Sequence, residues 1–179
     1  LGCEKEALDL LKKVECFLDE DILAEEEDAA GVTSRVKYLI SLGDYFGESC
    51  YFHEAIGRLK EHKEPHGGEV FFLFSQAYYE LYLLSQSLTY LAKSRAYISK
   101  AVQASPNNPN YWGLYGCVLS KLGESEEEQE LLREANDKFE KAIELRQSLC
   151  YFDLCWICDY GFNNHLLSEM TQSEEDLER

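Results

Sequence analysis

The chain has 179 residues, with 17 Lys plus Arg set against 34 Asp plus Glu, a formal net charge of −17. So negative a surface repels phosphate backbones and anionic lipid, which argues against nucleic acid and membrane partners, and no apolar run approaches the roughly 20 residues of a spanning helix. Seven cysteines, an odd number with no secretory signal, read as free thiols in a reducing, cytoplasmic compartment and not as a disulfide framework.

Leu, Glu, Ala, Lys and Tyr dominate and prolines are confined to Pro65, Pro106 and Pro109, a helical composition. Residues 4–18 place Ala7, Leu11, Val14 and Leu18 on one helical stripe, with Leu10 and Phe17 beside it. This reads as the second helix of a preceding, truncated repeat. Asp19 to Asp28 carries seven acidic residues in ten and leads to Ala29-Ala30-Gly31, a solvated linker by its charge, so residues 1–33 form an N-terminal unit apart from an array over 34–179. The opening Leu1-Gly2-Cys3, without an initiator Met, reads as a piece of a longer protein.

The first hairpin is expected over about 34–64, with a turn near Gly47 to Cys50 and a stop at Pro65-His66-Gly67-Gly68. The second spans about 69–106, turning at Ser85-Gln86-Ser87 and closed by Ser105-Pro106-Asn107-Asn108-Pro109. The third spans about 110–148: Gly123 ends its first helix, and Ser125 with Glu128 three residues on is a capping box opening the second. The acidic run from Glu126 to Glu134 is then the wet face of that helix. A partial fourth unit over 150–179 starts at Tyr151-x-x-Leu154-Cys155-x-x-Cys158 and turns at Gly161 to Asn164.

Internal repetition supports this division. Phe71-x-x-Phe74-Ser75-x-x-Tyr78 returns 41 residues later as Trp112-x-x-Tyr115-Gly116-x-x-Leu119, and Ser94-x-x-x-Ile98-x-x-Ala101 returns at the same offset as Ala135-x-x-x-Phe139-x-x-Ala142. Upstream, Leu39-x-x-Leu42-Gly43-x-x-Phe46 precedes Ala55-x-x-x-Leu59 at closer spacing. Small residues at Gly43, Ser75, Gly116, Ala55, Ser94 and Ala135 allow antiparallel helices to approach, while Leu42, Phe74, Tyr115, Leu59, Ile98 and Phe139 fill the seam. Copies two and three carry seven extra residues between the halves, about two helical turns, so both apolar faces stay nearly in register.

These residues resemble the tetratricopeptide repeat signature: a large residue, Leu-Gly, an aromatic, then Ala-x-x-x-Phe, closing on Pro. The resemblance implies an all-α fold of antiparallel helix hairpins stacked as a right-handed α-solenoid, and a scaffold or adaptor without catalysis. It also implies a concave groove lined by first helices. Carried onto this chain, the groove set is Lys37, Ile40, Asp44 and Glu48; Phe72, Gln76, Tyr79 and Glu80; Asn110, Gly113, Cys117 and Lys121; and, from the fourth unit, Phe152, Trp156, Asp159 and Tyr160. Carboxylates among aromatics fit a peptide or helix with basic and aliphatic side chains. One subclass clamps the acidic C-termini of large chaperones with Lys, Asn and Arg; here Ile40, Asp44, Phe72, Gln76, Gly113 and Cys117 occupy or adjoin those sites, and a negative groove repels a terminal carboxylate. Alternatives are a small chaperone for a secreted client and a docking or regulatory part of a larger enzyme.

Signs of chemistry are sparse. Cys155-Trp156-Ile157-Cys158 matches C-x-x-C, and Cys150 and His165 lie near enough in sequence to complete four zinc ligands. A second tight ligand pair and a thioredoxin-like context are both lacking, so these thiols read as buried, small apolar residues and no cofactor or metal is expected. His53, His62, His66 and His165 show no metalloprotease spacing, and no nucleophile elbow, phosphate loop or dinucleotide fingerprint occurs. No catalytic residue is nominated. The aromatics, at helical spacing, belong to the core more readily than to a base-stacking platform.

Overall fold

The computed structural model describes residues 29–61, 67–146 and 154–177; for 29–30, 154–157 and 172–177 only the backbone is described. The N-terminal stripe and the acidic linker up to Asp28 lie outside these residues. Seven α-helices and no strands occur among the described residues: α1 Ala29–Phe46, α2 Ser49–Glu61, α3 Gly68–Ser85, α4 Leu88–Ala104, α5 Pro109–Glu126, α6 Gln129–Arg146 and α7 Leu154–Leu177. Each helix packs on the next, and the alternate helices α1, α3, α5 and α7 also touch in sequence. The result is a row of hairpins with one helix of each forming a continuous wall.

Ala29-Ala30-Gly31 is already helical, so α1 starts ahead of the expected Ser34; Val32 and Val36 are buried and reward the extra turn with apolar burial. Each hairpin closes on two residues: Gly47-Glu48, Gln86-Ser87 and Glu127-Glu128. The first of each pair is left-handed, with φ of 67°, 55° and 53°. Its N–H returns to the carbonyl of Gly43, Tyr82 or Gly123, satisfying one of the acceptors a helix end exposes. The expected capping box at Ser125 is not formed. Ser125 lies inside α5 with its hydroxyl donating to the Leu122 carbonyl at 2.9 Å, and α5 continues to Glu126 because the left-handed residue that stops it is Glu127. A side chain pays about 1 kcal/mol for left-handed backbone that glycine adopts freely. Glu127→Gly is therefore expected to raise the unfolding midpoint by a few degrees, measured by thermal melting.

Identical loops put the three hairpins in one register. The second helices then repeat level by level: Phe52, Leu91 and Leu132; Ala55, Ser94 and Ala135; Leu59, Ile98 and Phe139, all at most 1% exposed. The facing level on the first helices is Val36, Ser75 and Gly116. In the middle hairpin this close crossing is closed by two serines: the Ser75 hydroxyl donates to the Ser94 carbonyl at 3.0 Å and the Ser94 hydroxyl to the Ser75 carbonyl at 2.9 Å. In the third hairpin, a Cβ on Gly116 would stand 2.6 Å from the Phe139 ring.

The first copy is registered differently from its sequence match. Gly43 is not the partner of Ala55; a Cβ there would meet the Phe52 ring at 2.6 Å, just as one on Gly123 would meet Leu132 at 2.7 Å. Gly43 thus sits level with Gly123, two turns nearer the loop than Gly116. No insertion separates the halves of the second and third hairpins: the loops are equal, and the seven extra residues vanish once Val36, and not Gly43, is matched to Ser75 and Gly116.

Among the described residues the fourth unit is one helix. α7 passes unbroken through Gly161–Asn164, where a turn was expected, and packs on both α5 and α6. The override is tertiary. Asn163, fully buried, donates to the Leu132 carbonyl at 2.8 Å and to Asn136 Oδ1 at 2.6 Å, and accepts from the Ser120 hydroxyl at 2.8 Å. Three partners on two helices outweigh a local turn preference.

Candidate functional site

The wall of α1, α3, α5 and α7 carries most residues expected to line a groove. Their placements differ. Lys37 is exposed on α1 and pairs with Glu69 of α3; Ile40 is buried in the first core cluster. Phe72 is half-buried and stacks on Tyr111 with centroids 4.8 Å apart, joining α3 to α5. Gln76 is half-buried beside it on the helix. Asn110, at the far end of α5, accepts from Arg146 of α6 at 3.0 Å, and Gly113 is buried. Glu48 is exposed in the first loop. Lys121 bridges Glu124 at 2.8 Å and lies 5.5 Å from the Phe162 ring. Phe152, and the side chain of Trp156, lie outside the described residues.

Across the wall a polar row spans all four helices. Asp44 on α1 is exposed. Glu80 on α3 is half-buried, and its carboxyl is pushed up from 4.5 to about 7 by burial first and by the Asp44 charge second. Tyr79, buried beside Tyr82, has its phenol pushed well above the ordinary value of 10.0 by burial, then by Cys117, Asp159 and Glu80. The Cys117 thiol donates to Asp159 Oδ2 of α7 at 3.1 Å, and Tyr160 donates to Glu140 of α6 at 3.2 Å. Asp44, Tyr79, Glu80, Cys117 and Asp159 thus share one electrostatic neighbourhood. Phe162 beside Lys121, and Asn163 with Ser120, were not singled out by sequence; turn-like composition around Gly161 hid both.

Glu80 is the group whose titration folding alters most usefully. Between pH 4.5 and about 7 the folded chain holds a proton that the unfolded chain has lost, so stability falls as pH rises through that window. Glu80→Gln removes the conflict with Asp44. It should stabilise the fold by about 1–2 kcal/mol at pH 8, the shift being discounted for partial solvent access, and by little at pH 5; denaturation curves at the two pH values measure the difference.

Of the C-x-x-C pair, Cys158 is exposed and free, against the expectation of burial, while Cys150 and the Cys155 side chain lie outside the described residues. His165 is exposed, 3.5 Å from Glu169 one turn on, and His53 is exposed with its ring edge toward Tyr90. Among the described residues no group of three or more His, Cys, Asp or Glu is placed to hold a metal ion, and no helix is long and apolar enough to cross a membrane. No family model matches the chain, and neither the curated proteins nor the solved structures give a match.

Proposed function

We propose that the chain is a protein-interaction module of tetratricopeptide-like design, a right-handed α-solenoid whose first helices form the inner wall, acting as an adaptor or scaffold and not as an enzyme. The packing of α1, α3, α5 and α7 on one another supports this reading, as does the three-level repetition of the second helices. The partner is a helix or peptide presenting Arg or Lys to the row of Asp44, Glu80 and Asp159, with small aliphatic side chains against Phe72. The observation that carries the proposal is the half-buried carboxyl of Glu80 beside the exposed Asp44, raised by burial first and by the Asp44 charge second: two carboxylates close enough to repel each other are stabilised when a cation arrives from outside. A terminal carboxylate would meet repulsion in the same place, which disfavours acidic chaperone tails.

Calorimetric titration with a helical peptide of arginine and alanine tests this. The Asp44→Asn/Glu80→Gln/Asp159→Asn variant should bind about tenfold more weakly, equivalent to about 1.4 kcal/mol, whereas Glu130→Gln/Asp137→Asn/Glu144→Gln on the exposed face of α6 should change affinity less than about twofold. Equal losses in both variants would show bulk attraction by the net charge and defeat the groove assignment. Affinity should also fall between pH 8 and pH 6, as Glu80 takes up its proton.

A further inference from the structure

The large apolar side chains left exposed among the described residues are Tyr45, Phe46, Leu83, Leu84, Leu88 and Phe162. They are not scattered. Tyr45 and Phe46 end α1, Leu83 and Leu84 lie in the last turn of α3, and Leu88 opens α4, so five flank the first two hairpin loops. Two open clefts lie between successive loops. One, of about 300 Å³, is lined by Gly47, Ser49, His53, Leu84 and Tyr90 among others. The other, of about 280 Å³, is lined by Tyr82, Leu83, Gln86, Lys121, Glu124 and Ser125, and Phe162 adjoins it through Lys121.

A chain with a net charge of −17 has ample polar surface to place at such an edge, so a gathering of exposed apolar groups there signals a contact surface. Its rim is acidic: Glu48, Glu124, Glu126, Glu127 and Glu128 are all exposed around the loops, and Lys121 is already engaged by Glu124. That rim disfavours a second copy of this chain, which would bring the same charges face to face. We infer that the hairpin-loop edge is a second docking surface, distinct from the inner wall, which receives a cationic amphipathic helix whose aliphatic side chains enter the clefts lined by Leu84 and Leu83.

The test uses the chain with a synthetic helix of leucine and lysine patterned on opposite faces, followed by fluorescence anisotropy. Leu83→Asp/Leu84→Asp should weaken binding at least about tenfold. Both substitutions add negative charge, so non-specific attraction of the probe would rise; a loss of affinity therefore reports the apolar anchors. Both side chains are 40% or more exposed, and a circular dichroism melt checks that the variant folds. Binding that is unchanged or strengthened by the double substitution overturns the inference, as does concentration-dependent dimerisation of the wild type that the same substitution abolishes. The Asp44→Asn/Glu80→Gln/Asp159→Asn variant, which tests the inner wall, should retain most of its affinity for this probe, so either surface can fail without the other.

Discussion

Phe139→Ala is expected to lower the unfolding free energy by about 3–5 kcal/mol, the range for deleting a buried aromatic ring. Phe139 is fully buried. Its ring lies where a side chain on Gly116 would be, and its centroid is 5.7 Å from that of Tyr160, so one residue joins α5, α6 and α7. Neighbouring helices cannot collapse into the void without dragging the crossing at Gly116 with them, which places the cost toward the upper half of the range. The urea midpoint should fall with the slope unchanged. Gly116→Val should be harmful from the opposite side, because its first added atom already stands 2.6 Å from the ring and overpacking costs about 1–3 kcal/mol.

Asn163→Ala is expected to cost about 2–4 kcal/mol. The amide makes two donor bonds and accepts one, in a buried or partly buried setting, and its removal takes a donor from Asn136 Oδ1 and from the Leu132 carbonyl and an acceptor from the Ser120 hydroxyl. The loss should be concentrated in α7, whose other contacts with α5 and α6 include Cys117 to Asp159, Asn136 to Asn164 and the Phe139–Tyr160 ring pair. Hydrogen exchange should accelerate along α7 while α3 and α4 keep their protection. Uniform acceleration over the whole array would mean that α7 is not a separable end piece.

Much of the fold was legible because hairpin arrays write their register into small residues and loop breakers. The turns at Gly47 and Gln86 and the start at Asn108-Pro109 fall where the sequence marks them, since left-handed backbone, a side-chain cap and proline are local requirements. The first copy was misregistered for a physical reason. The Leu-Gly pair occurs twice in α5, at Tyr115-Gly116 with a Tyr in place of Leu and again at Leu122-Gly123, two turns apart; either can be matched to Leu42-Gly43, and only packing shows that Gly43 and Gly123 share a level. Gly161 to Asn164 failed differently: its composition is that of a turn, and the buried bonds of Asn163 to α5 and α6 override it.

The site was legible as a set of helix positions and less so as an environment. Asp44, Tyr79, Glu80, Cys117 and Asp159 were all named from the repeat pattern, and the structure brings them into one electrostatic neighbourhood. Ile40 is committed to the core and Asn110 to Arg146, and those commitments depend on neighbours that no local pattern reveals. The exposed loop edge carries no mark in the sequence, because the exposure of Tyr45, Phe46, Leu83 and Leu84 follows only from how the hairpins stack.

The most direct test of the inner wall as the binding face is an amide chemical-shift map of the isotope-labelled chain titrated with the arginine–alanine helix. The account expects the largest shifts around Asp44, Gln76, Glu80, Cys117 and Asp159, on four helices at once, with α2, α4 and α6 little changed. Shifts centred instead on the acidic faces of α6, around Glu130 and Asp137, would contradict it.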